Sequence, residues 1–174
     1  SEEKFAIIRL VSWNASHDIG QSGISQIILE KLINEIKKYS KVFITSESKL
    51  PQNLEKYKLQ INPTEIHNVL YFSNLFIGEG ATMASECAIL GTPSIYINSL
   101  TAGTLEAQEK DGLLNIFQSG EAVITKAIDI LKNDNSKDEQ RKICNKVLES
   151  KIDVNQFIEQ FILDYPKNIN KENN

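Results

Sequence analysis

The feature that most constrains the fold is the alternation of short apolar runs with longer segments of helical spacing. Most of the runs are rich in β-branched or aromatic residues, as buried strands of a parallel sheet are. The predicted strands are Phe5–Trp13, Lys41–Ser46, Lys58–Ile61, Leu75–Ile77, Ser94–Asn98 and Leu113–Phe117. This alternation predicts an α/β protein with a three-layer, Rossmann-like, doubly wound parallel sheet of about six strands.

Helical spacing of apolar residues fills the segments between the predicted strands. Helices are expected from Ile24 to about Ser40, from Asn62, from Ala81 or Thr82, over Thr104–Lys110, over Glu121–Lys132, over Lys137–Glu149 and over Val154–Asp164. The last two follow the final strand and are therefore extra C-terminal helices. We expect one domain over residues 1–165 and a disordered Asn- and Lys-rich tail over residues 166–174.

Composition narrows the class of protein. The chain has 174 residues and a net charge of −4, without a basic stripe, which argues against nucleic acid as a partner. Arg9 and Arg141 are the only arginines, so a phosphate site would depend on backbone amides and helix ends. Cys87 and Cys144 form no CxxC motif and are expected to be reduced, as in a cytoplasmic protein.

Several other classes of feature are not expected. No apolar run reaches the roughly 20 residues of a membrane span, and no His, Cys, Asp or Glu cluster has metal-ligand spacing. We therefore expect no membrane span, no metal and no cofactor. The chain begins with Ser rather than Met, which a fragment of a longer protein would explain, as would a processed terminus or a tag scar.

In sheets of this type, ligands bind beyond the carboxyl ends of the strands. Three predicted loops leave those ends: residues 12–23, 46–51 and 78–82. The loop Gly78-Glu79-Gly80-Ala81-Thr82 joins a strand to a helix whose first amides would form an anion site. The alternative is a simple glycine turn in which Thr82 caps the helix.

Glu86 is the second candidate in this region because it is an acid whose neighbours along the sequence, Met83, Ala84 and Ala88, are apolar. A carboxylate near apolar residues is costly unless a donor hydrogen-bonds to it, and the vicinal hydroxyls of a ribose would do so. The alternative is an acid that stabilises the helix dipole by roughly 0.3–1 kcal/mol.

The stretch Gly80-Ala81-Thr82-Met83-Ala84-Ser85-Glu86-Cys87-Ala88-Ile89-Leu90-Gly91-Thr92-Pro93 resembles the nucleotide-binding signature of GT-B glycosyltransferases and non-hydrolysing UDP-N-acetylglucosamine 2-epimerases. The stretches NASHDIG, SESKLP and GEGATMASE are closer still to an uncharacterised bacterial and archaeal GT-B-like branch. The resemblance extends from Phe5 to about Leu131 and implies the C-terminal, Rossmann-like domain of a GT-B-like protein.

That resemblance assigns roles to residues. The turn at Gly80 and the amides of Ala81, Thr82 and Met83 would hold a diphosphate, Glu86 would bind the ribose, and Asn62 would lie near the base. The related families have Ser or Gly where this chain has Glu79. A carboxylate beside a diphosphate is unfavourable unless it points away or pairs, so this departure bears on the identity of the donor.

The first loop carries the remaining candidates. In GT-B proteins the matching loop reaches the cleft between domains, so Asn14 and Ser16 are candidate ligand contacts and His17 is a candidate acid–base residue. Ser16, His17 and Asp18 are adjacent and do not form a triad. The alternative is a polar loop with glycine punctuation.

A few polar residues lie near the predicted edge by position only. Glu47 is expected to be a solvated loop acid and His67 a helix-surface or core residue. Thr101, Glu106 and Gln108 follow the fifth predicted strand, where GT-B enzymes often contact the donor sugar.

The sequence and this resemblance therefore predict a domain that binds a nucleotide-sugar as a substrate, with a UDP-sugar as the leading candidate. The full protein would be a glycosyltransferase or a sugar-nucleotide epimerase. By resemblance, a missing N-terminal domain would be its partner and would supply the acceptor site, so this chain alone would bind without turnover. The alternative is a non-catalytic regulatory or interaction domain with a degenerate site. A receiver-type module is a poor fit, since Asp18 is the only acid in the first loop.

Overall fold

The computed structural model describes residues 3–12, 23–100, 102–118 and 120–168, with backbone only for residues 166–168. Within these residues, one sheet has five parallel strands in the order β2-β1-β3-β4-β5. The strands are β1 Phe5–Leu10, β2 Lys41–Ser46, β3 Leu75–Gly78, β4 Ser94–Ile97 and β5 Asn115–Phe117.

Helices connect the strands and extend the C-terminal end. They are α1 Gln26–Ile36, α2 Ile66–Phe72, α3 Ala81–Ile89, α4 Gly103–Lys110, α5 Ala122–Lys132, α6 Ser136–Glu149 and α7 Val154–Asn168. Short 3-10 helices lie at Glu55–Tyr57 and Pro63–Glu65. The helix expected from Asn62 is confirmed as the second of these, which continues into α2.

The expected strand at Lys58–Ile61 is not a strand of this sheet. Its only pairing in the described chain is a bridge between Lys58 and Ile44, with Leu59 N donating to Ile44 O at 2.8 Å. The rest of the segment pairs with no strand of the sheet in the described part of the chain, so no ladder forms there. Likewise, β1 ends at Leu10, and Trp13 lies outside the described residues.

Alternate residues of each strand face opposite layers, which gives the sheet two cores. Ala6 and Ile8 of β1 pack with residues of α1 and α5, whereas Ile7 packs with residues of α3, α4 and α6. Helices therefore cover both faces of the sheet. The predicted three-layer, doubly wound architecture with extra C-terminal helices is confirmed.

The strand order reverses beside β1. The chain passes from β1 to β2 on one side and then returns to place β3 on the other side of β1. The crevice at the carboxyl ends of β1 and β3 is therefore the topological switch point, which is the usual ligand position in such sheets. The loops after β1 and β3 both begin at this crevice.

Helix α7 differs from the other helices in its exposure. Its apolar side chains between Val154 and Tyr165 are exposed, and three aromatic rings contact each other along it: Phe157, Phe161 and Tyr165. It continues to Asn168, three residues into the segment predicted as a tail, and residues 169–174 lie outside the description. None of the helices described is both long and apolar enough to cross a membrane.

Candidate functional site

Helix α3 starts at the carboxyl edge of the sheet, immediately after β3. Gly80 is its N-cap residue, with extended backbone angles (φ −89°, ψ 123°), and glycine has no side chain to cap the helix. The first intrahelical bond runs from Ala84 N to Gly80 O, so the amides of Ala81, Thr82 and Met83 have no partner within the helix. Thr82 is therefore not the cap, and of the two expected starts, Ala81 and Thr82, the helix begins at Ala81.

The two glycines of this turn, Gly78 and Gly80, lie in different surroundings. A Cβ on Gly78 would lie 2.4 Å from the Phe76 ring, so Gly78 provides room for a buried aromatic side chain. A Cβ on Gly80 would meet only Val11 Cγ1, at an ordinary contact distance of 3.5 Å. Neither core packing nor a positive φ requires glycine at position 80, where it serves as the N-cap residue of α3.

Glu79 is buried and hydrogen-bonded at the switch point. Its carboxylate accepts hydrogen bonds from Val11 N at 2.9 Å and from Ile24 N at 2.8 Å. Val11 follows β1 and Ile24 precedes α1, so one side chain joins the two ends of the first loop. The sequence left open whether Glu79 would face a diphosphate or pair, and the structure shows that it pairs.

Glu47 has a similar arrangement on the other side of β1. Its carboxylate accepts hydrogen bonds from Arg9 Nη2 at 2.8 Å and from Ser12 N at 3.2 Å. It is exposed, as predicted for a solvated loop acid, but it also binds the backbone beyond β1. The consecutive amides of Val11 and Ser12 thus donate to two carboxylates, Glu79 directly after β3 and Glu47 directly after β2.

Glu86 does not lie among the apolar side chains of α3. Ala84, Cys87 and Ala88 face the core, whereas Glu86 is about 200° around the helix from Ala84. Its side chain is 42% exposed and lies 3.2 Å from His67 Nε2 of α2. The cost of a carboxylate in apolar surroundings is therefore not an argument for a ligand, and the geometry leaves Glu86 accessible on the same helix as the free amides.

The core side of α3 shows the opposite environment. Burial, with a smaller contribution from the charge of Glu86, raises the pKa of the Cys87 thiol well above its ordinary value. Cys144 of α6 is also buried and free, and burial raises its pKa too. Both thiols are reduced core residues, as predicted.

Asn62 and His67 belong to the segment beside α3. The Asn62 side chain is exposed and accepts a hydrogen bond from Thr64 N at 3.1 Å, so it caps the 3-10 helix at Pro63. His67 is a helix-surface residue, one of the two alternatives predicted for it. The structure thus brings Asn62 to the start of the segment that carries His67, the contact of Glu86.

The loop after β4 contains a residue that sequence reasoning missed. Asn98 is buried, donates from Nδ2 to the carbonyl of Glu79 at 2.9 Å and accepts from Leu100 N at 2.8 Å. Burial raises the pKa of Tyr96, whose hydroxyl donates to Leu100 O. A polar residue directly after a buried strand was the available signal for Asn98.

Two of the remaining candidate residues, Glu106 and Gln108, lie in the described part of the chain, and the others do not. Gln108 donates to Ser85 Oγ of α3 at 2.7 Å, and Glu106 is exposed on α4. Asn14, Ser16, His17, Asp18 and Thr101 lie outside the described residues.

A sequence model of the family described as "Protein of unknown function (DUF354)" matches residues 1–159. The chain belongs to this family. Among curated proteins, no sequence matches the chain.

Solved structures share the fold at low sequence identity. A putative UDP-N-acetylglucosamine 2-epimerase from Listeria monocytogenes matches 84% of this chain and 44% of its own, with a TM-score of 0.55 and 13% identity. The wall teichoic acid polymerase TagF (H548A) matches 100% of this chain and 46% of its own, with a TM-score of 0.53 and 13% identity. The spinosyn rhamnosyltransferase SpnG matches 86% of this chain and 42% of its own, with a TM-score of 0.50 and 13% identity.

These matches show a GT-B-like fold. At 13% identity the likeness is one of fold alone. The chain spans less than half the length of each of these structures.

Proposed function

We propose that this chain is a nucleotide-sugar-binding domain, with a UDP-sugar as its ligand. The observation that carries the proposal is the start of α3 at the switch point, where Gly80 leaves the amides of Ala81, Thr82 and Met83 open to an anion. The names of the similar structures, a UDP-N-acetylglucosamine 2-epimerase and a rhamnosyltransferase, support a sugar-related ligand.

Glu86 completes the proposed site as the ribose contact. It lies on α3 beyond the amides that would hold the diphosphate, and its carboxylate is accessible rather than buried. Vicinal hydroxyls can both donate to one carboxylate. His17, Asn14 and Ser16 remain candidates from the loop after β1, with His17 as an acid–base residue.

The full protein in this proposal is a glycosyltransferase or a sugar-nucleotide epimerase. A second domain would supply the acceptor site, so this chain alone binds its ligand without turnover. The pairing of Glu79 with Val11 and Ile24 supports the nucleotide-sugar alternative over a degenerate interaction domain, because the acid that weighed against a diphosphate has partners of its own.

The test is a thermal-shift and calorimetric panel of UDP, GDP, CDP and their sugars with the chain and with two variants. A ligand at 100 times its dissociation constant stabilises a protein by about 2.7 kcal/mol. UDP-sugars are expected to raise the melting temperature of the wild type, and Glu86→Ala is expected to weaken their binding about tenfold or more.

Glu35→Ala is the matched control. Glu35 of α1 is a helix acid that is 40% exposed and paired with Lys38, much as Glu86 is paired with His67. It lies at the end of α1 that leads to the start of β2, away from the proposed site. Equal affinity in the Glu86→Ala and Glu35→Ala variants would reject the ribose assignment, and silence across the panel would reject the nucleotide proposal.

A further inference from the structure

Glu79 is hydrogen-bonded to several separate segments of the candidate site. Its side chain binds the backbone at Val11 and Ile24, its own N–H donates to Arg9 O at 3.2 Å, and its carbonyl accepts from Asn98. One residue therefore joins the segments that follow β1, β3 and β4.

The partners of Glu79 are positioned at the switch point. Val11 and Ile24 are the residues on either side of the loop 12–23, and Glu79 itself immediately precedes the N-cap residue of α3. Asn98 adds the loop after β4, because its other amide atom accepts from Leu100 N. The side chains of Glu79 and Asn98 are both almost completely buried, with 3% and 5% of each residue exposed.

The chemistry of the contact favours a carboxylate over an amide. Each of the two oxygens accepts a backbone N–H, and an ionised carboxylate offers two such acceptors. Glutamine offers one carbonyl oxygen and an NH₂ group, and the NH₂ group cannot accept from an N–H. Glu79→Gln therefore keeps the shape of the side chain while it breaks one of the two hydrogen bonds.

We propose that Glu79 is a positioning residue that fixes the backbone at Val11 and Ile24 relative to the start of α3, with Asn98 extending the link to the loop after β4. This inference rests on the proposed function, since the position it maintains is that of the nucleotide-sugar site. Glu79 would raise ligand affinity without touching the ligand.

The first measurement is amide hydrogen exchange by NMR, which needs no ligand. In the wild type, the Val11 and Ile24 amides are expected to be protected, and in Glu79→Gln at least one of them is expected to exchange about tenfold faster. Asn98→Ala is the second variant and is expected to increase exchange at Leu100. If Glu79→Gln does not fold, protection of the Val11 and Ile24 amides in the wild type still tests the contacts of the Glu79 side chain. Asn98→Ala then tests the link to the loop after β4.

The second measurement is UDP affinity by calorimetry, with Thr92→Val as the matched control. Thr92 is buried and donates to Leu70 O at 2.8 Å, but it precedes β4 and so lies at the opposite edge of the sheet. Glu79→Gln is expected to weaken UDP binding about tenfold because the loops lose their fixed geometry, whereas Thr92→Val is expected to bind as the wild type does.

The outcomes separate the two proposals. Faster exchange in Glu79→Gln together with wild-type UDP affinity would overturn the positioning role and leave the proposed function intact. Unprotected Val11 and Ile24 amides in the wild type would overturn the link itself. A wild type that binds UDP and every other nucleotide tested too weakly to detect would overturn the proposed function and, with it, the contribution of Glu79 to binding.

Discussion

Glu79 and Glu86 lie in one short stretch, yet their environments are opposite. Glu79 is buried and binds two backbone amides, whereas Glu86 is half-exposed and contacts one side chain, His67. Two backbone N–H groups hold the buried carboxylate of Glu79 in place, so its role is structural. An accessible carboxylate with one exposed partner can exchange that partner for a ligand. The comparison shows that an acid in a glycine-rich turn is not by that fact a ligand contact.

The largest expected effect that tests this comparison is the loss of stability in Glu79→Ala. The substitution leaves the amides of Val11 and Ile24 without their acceptor, and a hydrogen bond to a charged group contributes about 1.5–3 kcal/mol. Water can replace part of that loss at partly buried amides, so we expect a loss of about 2–4 kcal/mol in the free energy of unfolding, measured by urea denaturation. Glu86→Ala is the control and is expected to change it by about 0.5 kcal/mol or less. The reverse order of the two variants would contradict the comparison.

The next effect separates the two glycines on either side of Glu79. In Gly78→Ala, the new Cβ would overlap the buried Phe76 ring, and such overpacking costs about 1–3 kcal/mol. In Gly80→Ala the methyl has space, so the cost is expected to be at most about 1 kcal/mol, from the poorer N-cap. Urea denaturation gives both values.

Nucleotide affinity should show the opposite order for these glycine variants. A methyl at residue 80 lies at the helix start where the diphosphate is proposed to bind, so Gly80→Ala is expected to weaken UDP binding more than Gly78→Ala does. A Gly80→Ala variant with wild-type affinity would show that no ligand approaches this backbone.

The architecture could be predicted from the sequence because its signals are local. Strand and helix periodicities are properties of short segments, so the α/β alternation and the start of α3 at Ala81 both agree with the structure. The strand expected at Lys58–Ile61 failed because a strand also needs a partner along its length. Among the described residues only Ile44 pairs with it, and no local sequence pattern indicates a missing partner.

The candidate site was harder to predict, for two physical reasons. The partners of Glu79 are backbone amides brought near by the fold, so no residue type at Val11 or Ile24 announces them. The exposure of Glu86, in contrast, follows from its angle around α3 relative to Ala84 and was available from helical geometry alone. Counting apolar neighbours along the chain, instead of around the helix, produced the wrong environment.

The smallest effect concerns the contact between His67 and Glu86, which decides how free that carboxylate is. A double-mutant cycle of His67→Ala and Glu86→Ala, measured by urea denaturation, is expected to give a coupling energy of about 0.2–0.5 kcal/mol, because the contact is exposed and is an ion pair only while the imidazole is protonated. Added salt should reduce the part of the coupling that comes from charge, since both side chains are half-exposed. The same cycle for Glu35 and Lys38 supplies the reference for an exposed pair on one helix.

A coupling energy above about 2 kcal/mol would exceed what exposed pairs reach. Glu86 would then be bound to His67 nearly as firmly as Glu79 is bound to its two amides, and a ribose would have to displace that contact to bind. A small coupling would instead mean that the His67 contact opposes ligand binding only weakly. Since the proposed ribose role requires Glu86 to change partner, the coupling energy sets the cost that the ligand must offset.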